Sequence, residues 1–247
     1  MARMALSARF LGKQDEVITT YLGHILDLLE PEANGKLLDL GCGPGVYTLM
    51  FASRLAAKEV IGLDVDTDAL IEASSRGIQV VHSDLDSALP FPDNSFGVVI
   101  ATQVIEHLHH PDKFADEVSR VLAPGGYAII ATENLASWHN IVALALGYQP
   151  FTDNVSEILR IGNPFMRNYM KKPHFDMLHV KVFTLFSLVE FLQVHGLFVN
   201  EIRTDGYPLA PASLARLLSR VDPRHARYLI VKARKDGSKR LHKGRGR

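Results

Sequence analysis

LLDLGCGPGVYT, from Leu37 to Thr48, sets an apolar run directly ahead of glycines at 41, 43 and 45. An apolar strand, a glycine turn and then a helix is how an open α/β sheet presents backbone to a ligand. A dinucleotide loop would read G-x-G-x-x-G, with its third glycine allowing close helix packing. Here Val46 stands at that place and the spacing is G-x-G-x-G. Alternating glycines let the chain pass beneath a bulky ligand and enter a helix whose free N–H groups suit an anion, a carboxylate included. Asp39, two residues before Gly41, is expected at the strand end facing the same crevice. It would repel a pyrophosphate but meet an ammonium group.

Two further acids extend that ligand. Asp64 ends the apolar run VIGLD about 20 residues past the loop, the spacing at which a carboxylate takes ribose hydroxyls. Asp84 ends VVHSD, just past the third strand, and could accept from an adenine amino group. Ammonium, carboxylate, ribose and adenine together describe S-adenosylmethionine.

The surrounding pattern predicts the scaffold. Val17, Ile18, Tyr21, Leu22, Ile25, Leu28 and Leu29 recur at helical spacing, which predicts a helix over 15–30 ended near Pro31. Strand-like runs follow at 36–40, 59–63, 78–82, 96–101 and 127–132, with helices between most of them. One helix carries Phe114, Val118, Val121 and Leu122 on one face and is expected to stop at Pro124-Gly125-Gly126. The alternation implies a largely parallel sheet covered on both faces. It lapses after Thr132, and 134–182 reads as a folded cap. Thr184 is an expected N-cap for LFSLVEFLQVH with Gly196 as its stop, and strands at 197–203 and 227–233 flank a small helix bearing Leu214, Leu217, Leu218 and Val221. The predicted fold is α/β: a Rossmann-like, doubly wound, seven-stranded and mostly parallel sheet with helical cap insertions at about 134–182 and 205–224. One domain over 1–235 and a basic flexible tail over 236–247 complete the expected organisation.

Composition bounds the function. Lysine plus arginine equals aspartate plus glutamate, which argues against a uniformly basic nucleic-acid surface. Cys42 is the single cysteine, so no internal disulfide can form and a cytoplasmic location is expected. No apolar run approaches the roughly 18–20 residues of a membrane span. From Lys232 to Arg247, eight Lys or Arg stand against one Asp. That end could touch RNA or an anionic membrane surface, and reads first as a solvated extension.

LLDLGCGPGVYT, VIGLDVD and HSDLDSALPFPDNSFGVVIATQVIEHLHHPDKFADEVSRVLAPGGYAIIATEN, in this order across residues 36–134, resemble the class I S-adenosylmethionine-dependent methyltransferases. The likeness is to the type 11 group, which includes ubiquinone and menaquinone biosynthesis enzymes. It implies that Asp39, Gly41, Cys42, Gly43 and Gly45 cradle the methionine part. It further implies that Asp64 binds ribose with Val65 beside the adenine, that Asp84 and Leu85 hold the adenine edge and face, and that Thr102 and Gln103 line the pocket. Gly97 departs from the family's S-F-D pattern, at a position not expected to touch the cofactor.

The acceptor side is less legible. Cys42 is used in the glycine loop, which argues against a cysteine nucleophile of the cytosine C5 kind. ATQVIEH, in place of an N-P-P-Y type loop, argues against adenine N6 chemistry. Glu106 and His107 follow the fourth strand toward the acceptor, and His107 is the candidate general base because its ordinary pKa lies near neutrality, against a packing role at a helix start. HLHHPD, with His109, His110 and Asp112, lacks a recognised ligand spacing, so no metal is expected. Trp138, His139, Tyr148 and His179 are candidate acceptor contacts in the cap, with His174 beside them. The segments TENLASWHNIVALALGYQPF and HVKVFT resemble inserts in bacterial methyltransferases of envelope glycan or lipid pathways. The expected activity is methyl transfer to a small or lipid-linked metabolite, at oxygen in preference to carbon. The alternatives are a tRNA, rRNA or protein methyltransferase using the basic tail, and a non-catalytic cofactor-binding module.

Overall fold

The structure is a computed structural model that describes residues 20–31, 35–156, 160–166, 178–207, 210 and 212–235. The expected helix start at 15–19, His174 and the tail 236–247 lie outside the described residues. Helix α1 covers residues 20–28. Then follow β1 Lys36–Leu40, α2 Val46–Leu55, β2 Glu59–Asp64, α3 Thr67–Ser75, β3 Gln79–His82, β4 Phe96–Thr102, α4 Pro111–Val121 and β5 Leu122–Glu133. The chain continues through α5 Trp138–Ala145, α6 Leu185–Val194, β6 Leu197–Asp205, α7 Ala212–Val221 and β7 Tyr228–Lys235.

The seven strands form one open sheet in the order β3-β2-β1-β4-β5-β7-β6. Strands β1 to β5 are parallel, and β7 runs antiparallel to both β5 and β6. The order reverses between β1 and β4, so the crevice beyond their carboxyl ends is where a doubly wound sheet binds its ligand.

Alternation along the central strands divides two cores. Leu38 and Leu40 of β1, Val99 and Ala101 of β4, and Ala128 and Ile130 of β5 pack with Phe114, Val118 and Val121 of α4 and Leu188 and Leu192 of α6. Their neighbours Leu37, Val98, Ile100, Tyr127 and Ile129 pack instead with Tyr21, Leu22 and Ile25 of α1 and Phe51 and Leu55 of α2. A period of two places successive side chains on opposite faces, so the middle of these strands is apolar on both faces, with Asp39 of β1 the buried exception.

One expectation is corrected. Leu122 does not continue α4: it pairs with Phe96, and Pro124-Gly125-Gly126 lies inside β5. The β4–β5 register shifts between Phe96 and Val98, so Gly97 sits at an irregularity. A Cβ on Gly126 would come within 2.7 Å of the Gly97 carbonyl oxygen, and this close approach replaces a helix stop with a bent strand. The expected small helix is α7, on which Leu214, Leu217 and Val221 are exposed. The capping prediction at α6 holds: Thr184 and Ser187 form a reciprocal capping box, and Gly196 takes φ 75° after the helix.

Candidate active site

The glycine turn is shaped by what crowds it. Gly41 has φ +73°, and a Cβ there would lie 2.4 Å from Val104 Cγ2, beyond the end of β4. Gly45, the N-cap of α2 at φ 80°, would meet Ile78 Cδ1 at the same 2.4 Å. Nothing lies within 4 Å of the corresponding point on Gly43, which leaves that side of the turn open. Cys42 is turned away: a Cβ on Gly62 would come 2.7 Å from its Sγ. Its thiol is buried and pushed up to about 12 by desolvation, so it is neutral and offers a ligand backbone only.

Three acids stand at the ends of β1, β2 and β3. Asp39 is buried; its Oδ2 accepts from Thr48 Oγ1 at 2.6 Å, and its Oδ1 has no hydrogen-bond partner. Burial, with Asp64 adding repulsion, pushes it up to about 7. Asp64 is half-buried and takes the Gly43 N–H on Oδ2 at 2.7 Å and the Asp66 N–H on Oδ1 at 3.0 Å. A carboxylate has about four lone-pair sites, so capacity for hydroxyl donors remains. Asp84 is exposed and accepts from the Asp86 N–H at 2.9 Å. Val65 is exposed, whereas Leu85 is buried in the core.

Thr102 and Gln103 leave β4 toward the same crevice. Gln103 takes φ 56°, uncommon for a residue with a side chain, and its N–H donates to the Ala131 carbonyl at 2.7 Å. Its Nε2 donates to the Tyr21 hydroxyl at 3.1 Å. Tyr21 was legible only as one apolar position of α1. Its ring lies 5.0 Å from that of Tyr228, and burial raises its hydroxyl above the ordinary tyrosine range.

After the turn, Glu106 and His107 meet the returning cap. Glu106 is fully buried; Oε2 accepts from Thr132 Oγ1 at 2.8 Å, and Oε1 has no hydrogen-bond partner. Burial pushes its carboxyl up to about 7 against the pull of nearby backbone N–H groups and Thr132, and the charge acting on it is another acid, Glu133. The Glu106 carbonyl receives the Val180 and Lys181 N–H groups at 2.7 and 3.1 Å. This pins the strap that carries His179, whose ring lies 5.0 Å from that of His107.

The other cap candidates do not join them. Trp138 Nε1 donates to Asp222 Oδ2 at 2.9 Å, and the indole lies 4.7 Å from the His225 ring, so it ties α5 to the turn after α7. His139 packs against Phe151 at 5.3 Å and is lowered to about 4 by burial, which keeps it neutral. Tyr148 is partly exposed near Phe165, at 6.4 Å between ring centres. The residue that folds the cap is Asn140: its Nδ2 reaches Thr152 Oγ1 at 2.8 Å and its Oδ1 takes the Phe151 N–H at 2.8 Å. His109 and His110 give their N–H groups to Asp86, and Asp112 faces His195.

An open sheet with a reversed penultimate strand, a glycine turn at the switch point and acids at or just past the ends of three successive parallel strands is the architecture of class I S-adenosylmethionine-dependent methyltransferase domains. Residues 38–130 match the family model described as a methyltransferase domain. A probable S-adenosylmethionine-dependent methyltransferase from Mycolicibacterium smegmatis is 40% identical over 104 residues, covering 41% of this chain and 39% of that protein. The demethylmenaquinone methyltransferase of Thermus thermophilus is 34% identical over 110 residues, covering 42% of this chain and 50% of its own. Among solved structures, an S-adenosylmethionine-dependent methyltransferase from Mesorhizobium loti superposes with a TM-score of 0.57 at 21% identity, covering 85% and 96% of the two chains, and so shares the fold. Residues 38–130 are thus similar to the type 11 methyltransferase domain, and the chain spans half or less of the length of these two curated relatives. The cofactor of this family is S-adenosyl-L-methionine. The residues fit it: a buried carboxylate oxygen of Asp39 awaits a donor, the turn is open at Gly43, and Asp64 is held beside that opening.

Proposed function

We propose that the protein transfers a methyl group from S-adenosylmethionine to an oxygen of a small or lipid-linked metabolite. The bound cofactor supplies an electrophilic methyl on a sulfonium, and the chain's own work is binding, alignment and proton removal. Asp39 meets the ammonium group, the open turn at Gly43 receives the amino-acid end, and Asp64 orients the ribose. The observation that carries the acceptor reading is the meeting of Glu106, His107 and His179 just beyond β4, next to the crevice. His107 Nδ1 faces the Leu178 carbonyl at 3.1 Å, so that nitrogen carries the proton and Nε2 is the basic atom. An acidic hydroxyl, such as a phenol or quinol, gives up its proton to such a base near neutral pH.

The exposed apolar residues of α5 and α7, including Val142, Leu144 and Leu217, favour a partly apolar acceptor. The Thermus relative is named for activity on demethylmenaquinone, itself a partly apolar acceptor. In this reading 134–182 and 205–224 form the acceptor cap on one domain. Among the described residues no helix is long and apolar enough to cross a membrane, and the one cysteine, Cys42, is a free thiol, which suits a reducing compartment. The test is transfer of labelled methyl from the cofactor to a panel of phenols, quinols, carboxylic acids and polyprenyl-linked sugars. Alkali-stable ether formation on a hydroxyl acceptor is expected. Label on carbon alone, or on none of the panel despite cofactor binding, would overturn it.

A further inference from the structure

We propose that Glu106, His107 and His179 form a binding site for one divalent metal ion of the zinc class, open to an acceptor oxygen. Each residue can offer one donor atom such that all three lie within 4.8 Å of one another. Ligands on a shared ion at about 2.0–2.1 Å stand roughly 3–3.5 Å apart, so small side-chain adjustments close the site. The donors come from distant parts of the chain, yet the Glu106 carbonyl itself anchors the strap bearing His179 through Val180 and Lys181. The site is thus held by backbone as well as by side chains.

The hydrogen bonds around the trio have the form that metal ligation requires. His107 Nδ1 faces the Leu178 carbonyl at 3.1 Å, and His179 Nδ1 faces the Thr152 carbonyl at 2.6 Å. A carbonyl only accepts, so each Nδ1 carries hydrogen and each lone pair lies on Nε2; such carbonyl support is the usual outer contact of a ligating histidine. Glu106 is oriented by Thr132 through Oε2, while Oε1 is fully buried with no hydrogen-bond partner. A buried carboxylate oxygen left without a donor is costly, and a cation removes that cost. Two imidazoles and one carboxylate select zinc-class and neighbouring first-row ions over calcium or magnesium. Three protein ligands leave a coordination position open, and a hydroxyl bound there ionises near neutral pH, releasing its proton to solvent. With the ion bound, His107 Nε2 is a ligand and no longer the base. The acceptor part of this proposal rests on the methyl-transfer reading above; the metal site does not.

The test uses the full chain, freed of metal by a chelator. Calorimetric titration with Zn²⁺, and the visible spectrum with Co²⁺, should show one equivalent bound with intense tetrahedral or five-coordinate bands. His179→Ala and His107→Ala should each weaken binding at least about tenfold, with cofactor affinity and circular dichroism unchanged. His179→Gln, which keeps the size of the side chain, guards against a folding defect. Absence of stoichiometric binding, or equal binding by all variants, overturns the site. Metal binding without methylation of any hydroxyl acceptor leaves the site standing and removes the acceptor reading; full methylation in chelator by a protein that binds no metal does the reverse.

Discussion

The Gly43 N–H donates to Asp64 Oδ2 at 2.7 Å, so the acid proposed to bind the ribose also holds the open point of the glycine turn. Asp64→Ala removes a direct ligand contact and the brace on the turn together. Charge-assisted hydrogen bonds contribute about 1.5–3 kcal/mol each, which predicts at least a tenfold loss of S-adenosylmethionine affinity. Asp64→Asn should lose less, because one oxygen can still accept from Gly43. Calorimetry with the cofactor checks this, and full affinity in Asp64→Ala would remove Asp64 from the site.

Asp39 makes the stability of the ligand-free protein depend on pH. Its carboxyl ionises near 3.8 in the unfolded chain and at about 7 in the folded one. Between these values the folded state holds a proton that the unfolded state has released, so stability falls as pH rises through the window, by up to about 1.4 kcal/mol per pH unit. Asp39→Asn should flatten this slope. Cofactor binding near pH 6 should release a proton, since an ammonium partner favours the ionised acid. Denaturant melts across pH and calorimetry in buffers of different ionisation enthalpy measure the two effects.

Gly41→Ala brings a methyl to 2.4 Å from Val104 Cγ2 at a φ of +73°. Overpacking and left-handed strain together predict a loss of about 2–4 kcal/mol. Adding Val104→Ala should relieve only the steric share. Urea denaturation of both single variants and the double variant separates the parts; additive losses would mean that the two side chains do not meet.

Tyr21→Phe strips the hydroxyl that receives Gln103 Nε2. A lost hydrogen bond at a part-buried site costs about 1 kcal/mol. Because Gln103 makes the turn between β4 and Glu106, a rise of a few-fold in the cofactor dissociation constant should accompany it. An unchanged constant would mean that the α1 contact does not set the pocket.

The glycine turn, the acids at the ends of β1 to β3, the seven strands and the Thr184 N-cap of α6 were all legible along the chain. Each depends on neighbours a few residues apart: periods of two and 3.6 residues, turn chemistry, and carboxylates at strand ends. The start of β5 was not legible, because Leu122 satisfies a helical period and a strand equally well, and the close approach of Gly126 to Gly97 decides between them. The apolar stripe of α7 is a true helical stripe, yet periodicity does not say whether a face meets the core. Glu106, His107 and His179 were each named from local pattern. Their meeting, and the contact of His107 with a carbonyl 71 residues away, depends on the strap that the Glu106 backbone anchors. The sequence by itself therefore determined the sheet and the methyl donor, since these are encoded in short-range spacing. Tertiary structure alone decided which side chains meet beyond β4, because chain segments distant in sequence converge only through packing and long-range backbone hydrogen bonds.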